Sequence, residues 1–461
     1  MRTLVWTLTC LLVGCELVAG IDDRAEMSSS SGSSSARCGD GIVDAGEACD
    51  DGNNEGSDAC NPDCTEPRCG DGDLGVGEVC DDGNDVNGDA CDENCTLPAC
   101  GNGAVAPGER CYHEALSFPF FATTVELADL DGDGTAELLA GSPNGVDVYR
   151  YSTSENTFIP ITSTTGPVGS ITLAVRDFDG DGLLDFAAGG AGGLYVHRNA
   201  GTPLSFTTTG PFNQEYVGFA AAAPLRTGEL PDIAILNGLH FEVLRNDGRM
   251  QFTPGPEMIA GEDAYGVVAT DVDGDGDQDL AVVHAFLADK QQGNIVVFEG
   301  DGRGGLTLGD TISLLPLLGP NTIDAGDLDG DGDPELVIAN HDSHDVGVFD
   351  NDGGTFSFDY SVGIGGISHC GVVRDIDGDG DLDVVAGIRD YGLVAILYND
   401  AGRVGSGDDF DTYPIGHCPR TVAVGDVNGD GAPDIVASNA PDTFFCNPPG
   451  MGGLSVLLAD P

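Results

Sequence analysis

Short apolar runs recur in pairs from Phe121 onward, each pair flanking an acidic, glycine-rich loop. Thr421-Val422-Ala423-Val424 stands before one such loop and Ile435-Val436-Ala437 after it. Runs of this length, rich in β-branched residues, predict strands, and the loop between them predicts a hairpin. Further runs lie at Leu454–Leu458 and, in another unit, at Val346–Phe349 and Phe356–Tyr360. Each unit of about 48 residues therefore holds four short strands, the content of one propeller blade.

The loops follow Asp-x-Asp-Gly-Asp-Gly-x-x-Asp/Glu. Their first residues are Asp129, Asp177, Asp271, Asp327, Asp375 and Asp426, separated by 48, 94, 56, 48 and 51 positions. The interval of 94 is twice 47, which locates a hidden copy at Pro224–Asp232, between Ala220-Ala221-Ala222-Ala223 and Ile233-Ala234-Ile235-Leu236. That copy retains only Asp232 of the acidic ladder. Seven units result, six with intact loops, and the expected fold is an all-β seven-bladed propeller.

Oxygens at loop positions 1, 3, 5 and 9, with a backbone carbonyl at 7, can enclose a hard cation of calcium size. Glycines at positions 4 and 6 let the chain curl through left-handed conformations so that the carboxylates converge. The expected ligand positions are Asp129, Asp131, Asp133, Thr135 and Glu137, then Asp177, Asp179, Asp181, Leu183 and Asp185. The third intact loop supplies Asp271, Asp273, Asp275, Asp277 and Asp279, and the fourth Asp327, Asp329, Asp331, Asp333 and Glu335. The last two supply Asp375, Asp377, Asp379, Asp381 and Asp383, and Asp426, Asn428, Asp430, Ala432 and Asp434. Six Ca2+ sites are expected, and none in the third unit. Asn428 keeps a coordinating oxygen with one less charge.

These loops and flanks resemble the FG-GAP and VCBS repeats, the former found in integrin α-subunit propellers, over roughly residues 112–461. The resemblance implies the same ligand positions and a ligand-presenting propeller. The last unit ends after its third strand, so Tyr112–Phe120 is expected to supply the fourth and remove an exposed sheet edge.

Upstream lies a different repeat, with a period of 31 residues. Cys38, Cys49, Cys60 and Cys64 are matched by Cys69, Cys80, Cys91 and Cys95, and a half-copy follows at Cys100 and Cys111. It resembles a bacterial surface cysteine-rich repeat of undefined function. No CxxC spacing favours zinc, so disulfides are expected in this segment, 38–111. If Cys100 pairs with Cys111, the full copies should pair Cys38–Cys49, Cys60–Cys64, Cys69–Cys80 and Cys91–Cys95. The Asp-Asp-Gly-Asn turns beginning at Asp50 and Asp81 read either as further calcium loops or as plain acidic turns.

The N-terminus reads as export machinery. Arg2 precedes an apolar run that is too short to span a bilayer. Leu12-Val13-Gly14-Cys15 resembles a lipobox, which makes 1–14 a signal peptide, Cys15 the lipidated residue and 15–37, with its Ser28–Ser35 tract, a flexible tether. The expected location is the bacterial cell envelope, as an outer-membrane lipoprotein exposed at the surface or a secreted protein, touching membrane through the lipid anchor only.

Composition narrows the partners. With 17 Lys+Arg against 78 Asp+Glu, the formal charge of −61 opposes binding to nucleic acid or anionic headgroups. The sole tryptophan, Trp6, lies in the signal, which counts against a Trp-based lectin. On the face opposite the calcium loops the repeat places His284, His341, His344, His369 and His417. The three remaining cysteines, Cys370, Cys418 and Cys446, fall there too. One reading is a structural disulfide, Cys418–Cys446 or Cys370–Cys418. The other is a transition-metal or catalytic site at the channel mouth built from His369, Cys370, His417, Cys418 and Cys446. Two functions follow: a non-enzymatic binding or adhesion module for an extracellular protein or glycan, or a polysaccharide lyase or hydrolase using His369, His417 or Tyr391. No nucleophile elbow, HExxH or phosphate-binding loop occurs.

Overall fold

A computed structural model of the chain describes residues 38–68 in part and 112–459 apart from 114, 202, 213–214, 238–239, 260–263, 285–292, 400–401, 406–409, 417 and 440–452. The expected signal, Cys15, the tether, Cys69 to Cys111, His417 and Cys446 lie outside the described residues. The two described segments belong to separate compact units.

Residues 112–459 form seven four-stranded antiparallel sheets, and among the described residues there is no helix. Blade 1 runs Val125–Ala128, Glu137–Ser142, Gly145–Ser152 and Thr157–Thr165, hydrogen-bonded in that order. The first, innermost strands of the other blades are Val168–Arg176, Phe219–Ala223, Ala264–Thr270, Pro320–Gly326, Ser368–Arg374 and Pro419–Gly425. These seven strands pack in sequence around an axis, with the last against the first.

Burial follows the hydrophobic pattern strand by strand. Second strands such as Asp383–Ile388 are buried at every position, because each is covered on both sheet faces by neighbouring blades; hence the unbroken run Val384-Val385-Ala386. Outer strands such as Thr355–Gly363 alternate half-buried and exposed, and their sequence alternates accordingly. Apolar clusters fill the spaces between blades: Val385 and Ile396 of blade 6 pack with Val422 and Ile435 of blade 7.

Closure occurs as the strand count requires. Leu116–Phe118 pairs antiparallel with Gly453–Leu457, Leu116 opposite Val456, and completes blade 7. Phe118 is then shared between Leu138 of blade 1 and Val456 of blade 7.

In the cysteine-rich unit the bonds are Cys38–Cys64 and Cys49–Cys60. This corrects the expected sequential pairing of Cys38 with Cys49 and Cys60 with Cys64. The copy is nested, its inner bond closing 49–60 and its outer bond clamping both ends. The Cys64 carbonyl accepts the N–H groups of Ala48 and Cys49, which brings Cys64 to this segment, and the Asp50 carboxylate accepts the backbone N–H groups of Asp40, Gly41 and Gly52. That folds the Cys38 end alongside the Cys49 segment, where Gly41 and Gly52, both in left-handed conformations, face each other. Asp50 also approaches Glu47 and Cys64, but Cys64 is oxidised in a disulfide and is no ligand.

Candidate metal centres and an axial cavity

In all six intact loops the glycines at positions 4 and 6 adopt positive φ, from 71° at Gly274 to 102° at Gly332 and Gly380. The position-1 aspartate is the hub: Asp177 accepts N–H groups from Gly180 and Gly182, and Asp327 from Gly330 and Gly332. Positions 1, 3 and 9 converge in Asp129/Asp131/Glu137, Asp177/Asp179/Asp185, Asp271/Asp273/Asp279 and Asp327/Asp329/Glu335, with one oxygen of each within 4.8 Å of the others. Two oxygens bound to one calcium lie at most about 5 Å apart, so the spacing fits that ion. Position-5 aspartates stand outside these groups. One oxygen of each binds the position-7 N–H, as Asp133 does with Thr135 and Asp379 with Asp381.

The carboxylate at position 9 has a second task. Asp185 accepts from the N–H of Phe178 at loop position 2 and from that of Asn199 on the third strand, at 2.9 and 2.7 Å. Asp383 does the same with Ile376 and Asn399, and Asp434 with Val427 and Ala459. It pins the loop to its blade. Burial, the largest cause, raises these acids: Asp185 and Asp279 to about 6, and Glu335, Asp383 and Asp434 to about 7. Among the described residues, buried oxygens of Asp131, Asp271 and Glu335 have no hydrogen-bond donor. Unpaired buried carboxylate oxygens are what a cation would satisfy.

In blade 3, whose loop has lost the acidic ladder, a side chain meets the position-9 carboxylate. Arg226, at position 3 of the degenerate loop, reaches Asp232 through two nitrogens at 2.8 and 3.1 Å and also bonds the carbonyl of Asn246. A guanidinium supplies the positive charge there. Elsewhere the third strand sets the loop's surroundings. Arg150 pairs with Asp131 and Glu137, and Arg198 with Asp179 and Asp181, whereas the corresponding residues in blades 4 and 5 are Glu299 and Asp350.

Loops are also tied to the next blade. Asn199 donates to Leu130 O, Asn246 to Phe178 O, Asn351 to Val272 O and Asn399 to Leu328 O, each crossing from one blade to the loop of its predecessor.

At the opposite end of the inner strands lies a cavity of about 430 Å³. Its lining includes Ile171, Gly218, Tyr265, Asn321, His369 and Arg420, one from each of blades 2 to 7. Each stands six residues before the first residue of its loop. In blades 4 to 7 the residue sits in a β-bulge of the inner strand: the register skips Tyr265, Asn321, His369 and Arg420 in turn, and it skips the stretch holding Ile171 in blade 2. A bulge re-aims a side chain that regular pairing would direct elsewhere. A second cavity of about 250 Å³ shares Tyr265, Asn321 and His369 with the first and adds His341 and Asp342.

The suggested His/Cys site divides. His369 lines the cavity, and burial lowers its pKa to about 4, with Arg389 and Arg420 contributing. Cys370, the next residue, turns into the core with Val385 and Val422; burial pushes its thiol up to about 12. Cys370 is free and Cys418 is disulfide-bonded, which rules out the Cys370–Cys418 bond and agrees with a structural disulfide at Cys418. Tyr391 is exposed and outside the cavity lining. The ring positions other than His369 were not singled out by sequence. The available signal was their constant offset from the loops.

The profile of the FG-GAP-like repeat matches residues 129–188, 285–338, 327–386 and 375–437. No curated protein sequence matches the chain. Among solved structures, BBS1N in complex with ARL6DN, soaked with mercury, aligns at TM-score 0.52 and 11% identity over 75% of this chain and 96% of that one. Its lead-soaked counterpart gives 0.51 over the same shares at 11% identity. An Agrocybe aegerita lectin, described for recognition of non-reducing terminal N-acetylglucosamine, aligns at 0.45 and 20% identity over 65% and 80%. Disulfides in both described units belong with a secreted or surface protein. Loops, sheets and profile together make this chain a seven-bladed β-propeller that carries FG-GAP-like repeats over residues 129–188 and 285–437, with a disulfide-bonded N-terminal region.

Proposed function

We propose that the chain is a calcium-loaded binding module, anchored at the cell envelope through Cys15, that holds an extracellular protein or glycan in its axial cavity. The observation that carries this reading is the bulge ring. One scaffold position, repeated blade after blade, brings a different residue to a single cavity: Ile171, Tyr265, Asn321, His369 and Arg420 with their side chains, and Gly218 with none. Varying chemistry at constant geometry is how a rigid repeat scaffold makes a specific site. Six calcium ions at the other end would neutralise the converging carboxylates and, through the asparagine links, hold neighbouring blades in register.

The test is retention of the calcium-loaded protein on mixed glycan and protein arrays, with Tyr265→Ala and Asn321→Ala beside the wild type. Retention that both substitutions abolish, without turnover of the retained ligand, is the expected result. Ligand retained equally by the variants would overturn the reading. Turnover of a polysaccharide that His369→Ala abolishes would replace it with the lyase or hydrolase.

A further inference from the structure

Resting on the axial cavity as the binding site, we infer that its ligand is a carboxylate-bearing sugar: a single uronate-type unit, free or ending an otherwise uncharged glycan, with Arg420 reading the charge.

Arg420 differs from the arginines that serve the acidic loops. Arg150, Arg198 and Arg226 are each paired with carboxylates of their loops. Among the described residues no carboxylate lies within ion-pair distance of Arg420, although the sequence holds 78 acidic residues. Its bulge exposes it at the cavity. The acids of the adjoining rim are engaged: Asp342 with His341, and Asp390 with the N–H of Ile367. A guanidinium left open in this way offers a bidentate fork to a planar carboxylate.

The rest of the lining is neutral and suited to hydroxyls. Asn321 supplies an amide. His369, held uncharged by burial, offers one donor and one acceptor. Thr172 and Thr421 use their hydroxyls to accept the N–H of Ala220 and Val125 on the next inner strand. The equivalent hydroxyl of Thr322 is buried in the lining with no partner among the described residues. A buried hydroxyl without a partner is unfavourable until its hydrogen bonds are completed. Tyr216 and Tyr265 leave ring surface exposed at the rim, where the apolar C–H face of a pyranose can pack.

Charge and size restrict the ligand further. A formal net charge of −61 repels a polyanion along its length, but fields are screened beyond about 8 Å, so one carboxylate seated on Arg420 is accepted. A volume of about 430 Å³ holds one or two sugar units.

The experiment titrates the full calcium-loaded chain with glucuronate, galacturonate, glucose and galactose, following ligand NMR signals, for wild type and Arg420→Gln. Melting in calcium checks that the variant is folded. The expected result is that at least one uronate binds ~10-fold more tightly than its neutral counterpart, and that Arg420→Gln removes the difference. Equal affinity for neutral sugars, no uronate binding, or an unaltered preference in Arg420→Gln overturns the inference. If the arrays return a protein or neutral glycan whose retention Tyr265→Ala abolishes, the cavity remains the binding site and only the acidic ligand is refuted. If neither ring variant alters any retention, both fail.

Discussion

Replacing Arg226 by methionine isolates the one blade in which a side chain stands where the others place an acidic ladder. The change removes two hydrogen bonds to Asp232, one to the Asn246 carbonyl and one to the exposed Glu229, and leaves the Asp232 carboxylate, with no solvent exposure, beside an apolar thioether. Asp232 retains the N–H of Asn246 at 2.7 Å. Breaking a buried pair from one side costs about 3–5 kcal/mol, mostly from the charge left behind. Arg226 keeps 20% side-chain exposure, so water can reach part of the gap and the lower end applies. At roughly 2 °C per kcal/mol for a domain of this size, the melting temperature should fall by about 6 °C. Arg226→Met/Asp232→Asn, which removes the orphaned charge but keeps an acceptor for Asn246, should recover at least half of the loss. Both effects should be equal in calcium and in EGTA, since no calcium site is expected in blade 3. Differential scanning calorimetry of the wild type and both variants in the two buffers reads these effects. A single variant that melts like the wild type, or a double variant that melts below the single one, would refute the guanidinium's role.

Other expectations concern the intact loops. The position-9 carboxylates are raised above their unfolded values by burial, so the folded chain binds more protons between about pH 4 and 7; in EGTA the melting temperature should therefore fall as pH rises from 5.5 to 8. Calcium requires the ionised form and should abolish or reverse that slope; an EGTA melt that rises with pH would contradict this. Asn399→Ala, which frees the Leu328 carbonyl, should cost about 1–3 kcal/mol in denaturant unfolding, while an unchanged midpoint would show that the link between blades is idle. Arg150→Gln removes a cation that competes for Asp131 and Glu137, and should tighten calcium at the first loop several-fold in a titration; weaker binding would mean the arginine supports the site.

The parts legible from sequence were those in which chemistry fixes spacing. Carboxylates at alternate positions with glycines between them have few uses, and the loops lie where the pattern put them. Closure by Leu116–Phe118 was legible from counting strands, because a blade lacking one leaves an edge that must be covered. Disulfide pairing was not legible: the half-copy at Cys100 and Cys111 invited sequential pairing, while hydrogen bonds of Asp50 to residues 40–41 and of the Cys64 carbonyl to Ala48 and Cys49 bring distant ends together. The survival of Asp232 in a loop that lost its ladder makes sense only with coordinates, which show it receiving a backbone N–H and a guanidinium. The bulge ring was hidden for a similar reason. A bulge leaves no residue signature, and Tyr265, Asn321, His369 and Arg420 share no chemistry, only an offset from the loop.

The account depends most on cations bridging the acidic corners of the ring. Native mass spectrometry of the purified chain, paired with melting curves before and after exhaustive EGTA dialysis, addresses this directly. Six retained calcium ions, and a melt at pH 7.5 that drops on dialysis and returns on adding calcium back, are the predicted results. A chain that carries no calcium and melts at the same temperature in both conditions would contradict it.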